Sequence, residues 1–216
     1  MTTAVRPRPR LRGVSHRAAF ISALTLAPIM IVSAPRVAPR FVIAVYALAI
    51  VGLFGVSALY HRVQWGERGK AIMRRLDHSM IFVAIAGTYT PIAIFTLPDP
   101  ARTSLLAIVW GGSVAGIAIR LLFTDLPYPV IAAPYVVVGW AAVFFLDDVF
   151  AALGVAGFVL IVVGGALYTM GAVIYAFRRP DPWPTLFGYH EIFHLFVIAG
   201  AATHYVAVAF FALPKA

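Results

Sequence analysis

Residues 41–60, FVIAVYALAIVGLFGVSALY, run for twenty positions without a charged side chain and end directly on His61 and Arg62. At about 1.5 Å per residue, a helix of that length covers the ~30 Å hydrocarbon core of a bilayer. The stretch therefore decides the class of the chain, which is an integral membrane protein. Composition agrees, with 62% of the 216 residues apolar and 12% charged, far from the averages of soluble domains.

Working outward, seven stretches reach spanning length, at about 18–34, 41–60, 77–97, 103–123, 129–147, 152–177 and 186–212. The expected fold is an all-α, seven-transmembrane helix bundle. A basic N-terminal arm (1–17) precedes a single membrane domain (18–212), and a short tail (213–216) follows. Turn signals separate the stretches at 33–35, 64–69, 98–100, 126–127, 147–148 and 180–184, so consecutive helices are expected to be antiparallel neighbours. Gly112 and Gly116, and the Gly164-Gly165 pair, are small-residue surfaces that let helices approach closely. The small residues of Val32-Ser33-Ala34 imitate a signal-peptidase site, but Pro35 follows at once and the stretch reads as the first span.

The net charge of +9 is organised by side of the membrane rather than as a nucleic-acid surface. Arg6, Arg8, Arg10, Arg12, Arg17, Arg62, Arg68, Lys70, Arg74, Arg75, Arg120, Arg178 and Arg179 fall on one side of the seven-span order. Arg36, Arg40, Arg102 and Lys215 fall on the other. The positive-inside rule then makes the N-terminus cytoplasmic and the C-terminus external, in the cell (inner/plasma) membrane.

Ionisable residues inside such a bundle are costly and point to function. Ser57 and His61 close the second span, Asp77 and His78 open the third, and His190 and His194 open the seventh. All of them come to the cytoplasmic leaflet. The four-residue spacing puts His190 and His194 on one helix face, one turn apart. With His61 they form a three-nitrogen set suited to zinc with its fourth position open to water. The absence of cysteine leaves nitrogen and oxygen as the donors for any metal. Zinc makes a bound water acidic enough to act as a nucleophile at neutral pH. Asp77 is placed to act as its general base, and Ser57 to bond a neighbouring group or a substrate carbonyl.

Each residue also has a structural reading. The histidine pair suits an interfacial helix start, His61 suits a helix C-terminus, Asp77 suits an N-cap, and Ser57 suits a bond back to its own helix. His16 and His78 lie near the same boundary and are candidates to touch the site. His204, ten residues beyond His194, is about 15 Å deeper and is expected to bond across helices or line a cavity. His190-Glu191-Ile192-Phe193-His194 matches the zincin pattern literally, but it opens a membrane span, which is not the context of a soluble metalloprotease, and Glu191, about 100° off the face of the two histidines, is not expected to ligate. The lysines, Lys70 and Lys215, lie outside the spans, which removes a retinal Schiff base. A haem held by two histidines ranks below zinc because a third histidine converges on the same place.

Four segments carry a family resemblance: Phe54-Gly55-Val56-Ser57-Ala58-Leu59-Tyr60-His61-Arg62, Arg75-Leu76-Asp77-His78-Ser79-Met80-Ile81-Phe82, Ala86-Gly87-Thr88-Tyr89-Thr90-Pro91 and Gly188-Tyr189-His190-Glu191-Ile192-Phe193-His194. Together they resemble the hemolysin III family, the bacterial branch of the progestin and adipoQ receptors. The resemblance implies seven helices, a cytoplasmic N-terminus, and a zinc ion near the inner leaflet held by His61, His190 and His194. Asp77 would then contact the zinc-bound water. It further implies kinship with lipid amide hydrolases such as alkaline ceramidases, with membrane lipids as substrate or ligand. A membrane receptor or sensor, or a hemolysin-like pore-forming protein, with a structural zinc is the alternative. Many relatives carry Glu-x2-Asn-x3-His at the first span, where this chain reads Leu11-Arg12-Gly13-Val14-Ser15-His16 and keeps the histidine alone.

Overall fold

The computed structural model describes residues 9–123 and 126–216. Arg6 and Arg8 of the basic arm lie outside the described residues. The chain forms α1 (Val14–Ser33), α2 (Val37–Arg62), α3 (Glu67–Thr96), α4 (Ala101–Leu122), α5 (Tyr128–Gly139), α6 (Leu146–Phe177) and α7 (Tyr189–Ala207). A 3₁₀ segment, Ala141–Phe145, joins α5 to α6, and a π turn followed by a 3₁₀ turn ends α7. No strand occurs among the described residues, and Trp183 and Phe187 make one isolated bridge.

Six helical stretches are long and apolar enough to cross a membrane, and one of them, Tyr128–Phe177, is 50 residues long. Straight, it would extend about 75 Å, more than twice the hydrocarbon thickness. It doubles back instead. Ile131 and Ala132 pack against Tyr175, and the Trp140 indole N–H donates to Thr169 Oγ1 at 2.8 Å, so α5 lies antiparallel to the second half of α6.

The reversal is not at Asp147-Asp148, where the sequence suggested a turn. Those two carboxylates occupy the first turn of α6, where they complement the helix dipole. The helical conformation breaks at Gly154, with φ 66° and ψ −178°, a region that a residue without Cβ enters at little cost. The break after α5 is covered by Tyr89. Its hydroxyl donates to the Gly139 carbonyl at 2.6 Å and accepts from the Ala142 N–H at 3.2 Å. Irregular backbone at membrane depth requires partners of this kind, because lipid offers none.

Large apolar side chains stand on the outer surface, among them Phe144 (77% exposed), Leu122 (75%) and Phe41 (70%). That is the inverse of a soluble protein and suits contact with lipid. Inside, Tyr89, Leu97, Leu105, Val109, Val149 and Leu153 form one core cluster, joining α3, α4 and α6. A second, of Leu53, Phe54, Ala84, Val197 and Ala201, joins α2, α3 and α7. α1 is peripheral, since His16 and Met30 are its buried residues. α3 starts at Glu67, ten residues before the expected membrane boundary, so Arg68, Lys70, Arg74 and Arg75 extend a helix rather than a loop.

The expected small-residue contacts are present. A Cβ on Gly116 would meet the Phe82 ring at 2.2 Å, and one on Gly112 would meet Val138 at 3.0 Å, whereas Gly111 faces open space. Gly116→Ala should therefore lower the thermal midpoint of the detergent-solubilised protein. Gly111→Ala, relieved of the glycine helix penalty of about 1 kcal/mol, should leave the midpoint unchanged or raise it. Equal midpoints for the two variants would contradict the close α3–α4 contact.

Candidate metal centre

The last two turns of α2 carry Ser57 and His61, which are buried because α1 and α7 cover them. Asp77 comes from α3, ten residues past its start and therefore well inside the helix. The N-cap reading of Asp77 does not hold. His190 and His194 come from the first two turns of α7, and His194 is only 1% exposed.

These elements bring the three predicted histidines together. His61, His190 and His194 each offer a ring nitrogen, and the three nitrogens lie within 4.8 Å of one another. The His61 and His190 Nε2 atoms are 3.2 Å apart. The His190 and His194 ring centroids are 4.5 Å apart, and those of His61 and His194 are 5.0 Å apart. Asp77 Oδ2 stands 3.9 Å from His61 Nε2. His194 Nδ1 is buried with no hydrogen-bond partner, an expensive state for a polar atom at membrane depth.

The donor set suits zinc. Tetrahedral ligation at ~2.0–2.1 Å separates ligand nitrogens by about 3.3 Å, close to the observed His61–His190 separation. The widest pair, at 4.8 Å, needs to close by about 1.5 Å to match. Three neutral nitrogens with a carboxylate at the edge form an open set rather than a closed structural one.

Ser57 makes no bond back to its own helix among those observed. Its Oγ is 2.8 Å from His16 Nδ1, and it lines the same cavity as Asp77. His16 is the residue that sequence reasoning placed only nearby. It is 3% exposed, and its ring lies flat on His194, with centroids 3.7 Å apart and planes inclined by 10°. The available signal was its level, since it sits in the first turn of the first span, at the same leaflet as the other histidines.

The segment before His16 closes over one side of the site. The Arg10 and Leu11 N–H groups donate to the Thr185 and Leu186 carbonyls at 3.0 and 3.1 Å. Gly13, with φ 76°, rests against α2 so closely that a Cβ would stand 2.5 Å from His61 Cβ. Arg12 pairs with Glu191, which is 2% exposed and accepts the Gly188 N–H at 2.8 Å. Glu191 thus caps α7 and holds the N-terminal segment, and it leaves the zincin base position empty of a carboxylate.

The other two histidines separate from the cluster. Arg120 donates to His78 Nδ1 at 2.7 Å, so this ring serves α3–α4 packing. His204 Nε2 donates to the Ile161 carbonyl at 3.1 Å, an inter-helix bond of the expected kind. A cavity of about 150 Å³ runs from Asp77, His16 and His194 to Trp140, Leu146 and His204, with mostly apolar walls.

The profile of a family described as "Haemolysin-III related" matches residues 5–205. Hemolysin-3 of Bacillus cereus is 34% identical over 172 residues, covering 80% of this chain and 75% of that protein. A hemolysin-3 homolog of Bacillus subtilis is 32% identical over 167 residues, 77% of this chain and 75% of the relative. Human monocyte to macrophage differentiation factor is 25% identical over 171 residues, 76% of this chain and 67% of the relative. With nearly its whole length matched, this multi-pass helical membrane protein belongs to the hemolysin III family, the bacterial branch of the progestin and adipoQ receptor family.

Proposed function

We propose that this chain is a seven-pass protein of the cell membrane that hydrolyses an amide bond in a membrane lipid, using zinc held by His61, His190 and His194. One observation carries the reading. His190, His194 and Asp77 line one end of a cavity with mostly apolar walls, and His61 joins them from α2 with its Nε2 3.2 Å from that of His190 and 3.9 Å from Asp77 Oδ2. A purely structural cross-link would gain nothing from an adjoining apolar space.

The roles follow from position. When bound, zinc supplies Lewis acidity and lowers the pKa of a water in its open position. The Asp77 carboxylate, 3.9 Å from His61 Nε2, is near enough to take a proton from a water beside the histidines and to return it to the departing amine. Ser57, which lines the cavity with Asp77, is placed to bond a neighbouring group or the substrate carbonyl. The apolar walls bind the acyl chain, exclude bulk water and hold the amide at the histidine end. A receptor or sensor with a structural zinc uses the same three histidines and differs in not depending on Asp77 for turnover.

The antiparallel packing of α5 on α6 supports the seven passes, with the 50-residue apolar stretch read as two crossings. The basic side of that order is then cytoplasmic, and residues 213–216 are a short external tail. The contact of Arg10 and Leu11 with Thr185 and Leu186 supports this order, since it needs the N-terminus and the α6–α7 connection on one side.

Because the chain has no cysteine, single introduced cysteines report topology cleanly. An impermeant maleimide added to intact cells should label Asp99→Cys and Asp147→Cys and spare Arg68→Cys and Arg179→Cys. Labelling of Arg179→Cys from outside would contradict seven passes. Metal analysis should find about one zinc per chain in the wild type and little in His190→Ala or His194→Ala; near-equal zinc in all three samples would remove the site. Asp77→Asn should keep zinc and lose lipid amide hydrolysis by about 10²- to 10⁴-fold. Fully zinc-loaded wild type that cleaves no ceramide-like or other lipid amide would leave the receptor reading in place of the hydrolase.

A further inference from the structure

The three candidate ligands stand on two helices, His61 on α2 and the His190–His194 pair on α7. The four-residue spacing fixes the pair on its own helix, so the reach to His61 depends on the gap between α2 and α7. Residues 12–16 bridge that gap. Gly13, at φ 76°, lies so close to α2 that a Cβ would stand 2.5 Å from His61 Cβ and 3.5 Å from Arg62 Cγ. His16 bonds Ser57 of α2 at 2.8 Å and stacks on His194 of α7. Arg12 pairs with Glu191 of α7.

The ion pair is the polar fastening of this bridge to α7. Glu191 Oε1 accepts from Arg12 Nε, and Oε2 accepts the Gly188 N–H at 2.8 Å. One carboxylate therefore fixes both the start of α7 and the N-terminal segment, from a position between the two ligands of that helix. The Glu191 side chain is 2% exposed and that of Arg12 is 18% exposed, so the two partners are not equivalent. Removing the arginine strands a buried carboxylate, whereas neutralising the glutamate leaves a cation that water can reach. Neither residue lines the cavity, so any effect on the site passes through position.

We propose that Arg12 is a positioning residue for the metal centre. Its pair with Glu191 clamps the N-terminal segment to α7, and through Gly13 and His16 the clamp sets the separation of His61 from the His190–His194 pair. The proposal rests on the three-histidine metal reading and is independent of whether the site hydrolyses a lipid. Opening the clamp widens the donor set and speeds metal loss. α7 stays packed along α6, so the bundle does not need the clamp in order to fold.

The test compares wild type, Arg12→Gln, Glu191→Gln and Arg12→Lys as full chains in detergent. Three quantities are read: the rate of zinc release to a chromophoric chelator, the thermal midpoint, and hydrogen exchange of the amides of residues 10–16. Arg12→Gln and Glu191→Gln should both release zinc about tenfold faster than wild type, and Arg12→Lys, which keeps a cation, should recover part of the retention. The midpoint should fall further in Arg12→Gln, with its stranded carboxylate, than in Glu191→Gln. Equal zinc loss at unequal stability separates positioning from a general loss of structure. Where Arg12→Gln folds poorly, Glu191→Gln and Arg12→Lys decide. Zinc release at the wild-type rate in Glu191→Gln, release that follows the midpoint across the variants, or Arg12→Lys no better than Arg12→Gln would each overturn the proposal. A wild type that holds no zinc would overturn the metal reading itself. Faster amide exchange in residues 10–16 of Glu191→Gln would then still show the clamp, without a metal to position, and unchanged exchange would overturn the clamp as well.

Discussion

Polar side chains at membrane depth have no water to fall back on, and the arrangement around His194 depends on that constraint. His16, His190 and His194, with Ser57 and Asp77, line one end of a mostly apolar cavity. Ser57 and His16 satisfy one another, and His61 faces His190 at 3.2 Å. His194 Nδ1 and His16 Nε2 are left over. The proposed cation among His61, His190 and His194 would give the first a partner.

The scaffold serves that convergence. Glu191 caps α7 and, through Arg12, ties the N-terminal segment to the start of the same helix. Gly13 then passes close enough to His61 to bring His16 over His194. Residues 10–16 therefore touch both helices that carry the three histidines, and the peripheral α1 contributes a buried ring to the cluster. On the other side of the cavity, Tyr89 holds the interrupted backbone between Gly139 and Ala142. That support keeps α5 folded against α6 and completes the apolar wall.

Much of this was legible in the sequence because membrane folds expose their constraints as length and charge. The stretch 41–60 reads as a spanning helix on length alone, and the three histidines and Asp77 were found by their common level in the helix order. The regions that were harder to read depend on local geometry. Asp147-Asp148 resembles a turn by composition, but the chain reverses at Gly154, where backbone conformation decides. The start of α3 at Glu67 was hidden because a charged helical extension outside the bilayer leaves no apolar signal. Asp77 lies mid-helix for the same reason. His16 was recognised as a neighbour and not as a stacked partner, since ring orientation follows from the Gly13 approach and the Arg12–Glu191 pair, neither of which has a spacing signature.

The central claim is that His61, His190 and His194 form an open, three-imidazole zinc site. Zinc K-edge X-ray absorption on the purified, zinc-loaded protein addresses it directly, because the scattering counts ligands by type and distance. The account predicts a shell at ~2.0–2.1 Å with three imidazole nitrogens and one or two further oxygen scatterers. Four imidazoles, or a spectrum without imidazole outer-shell scattering, would contradict it.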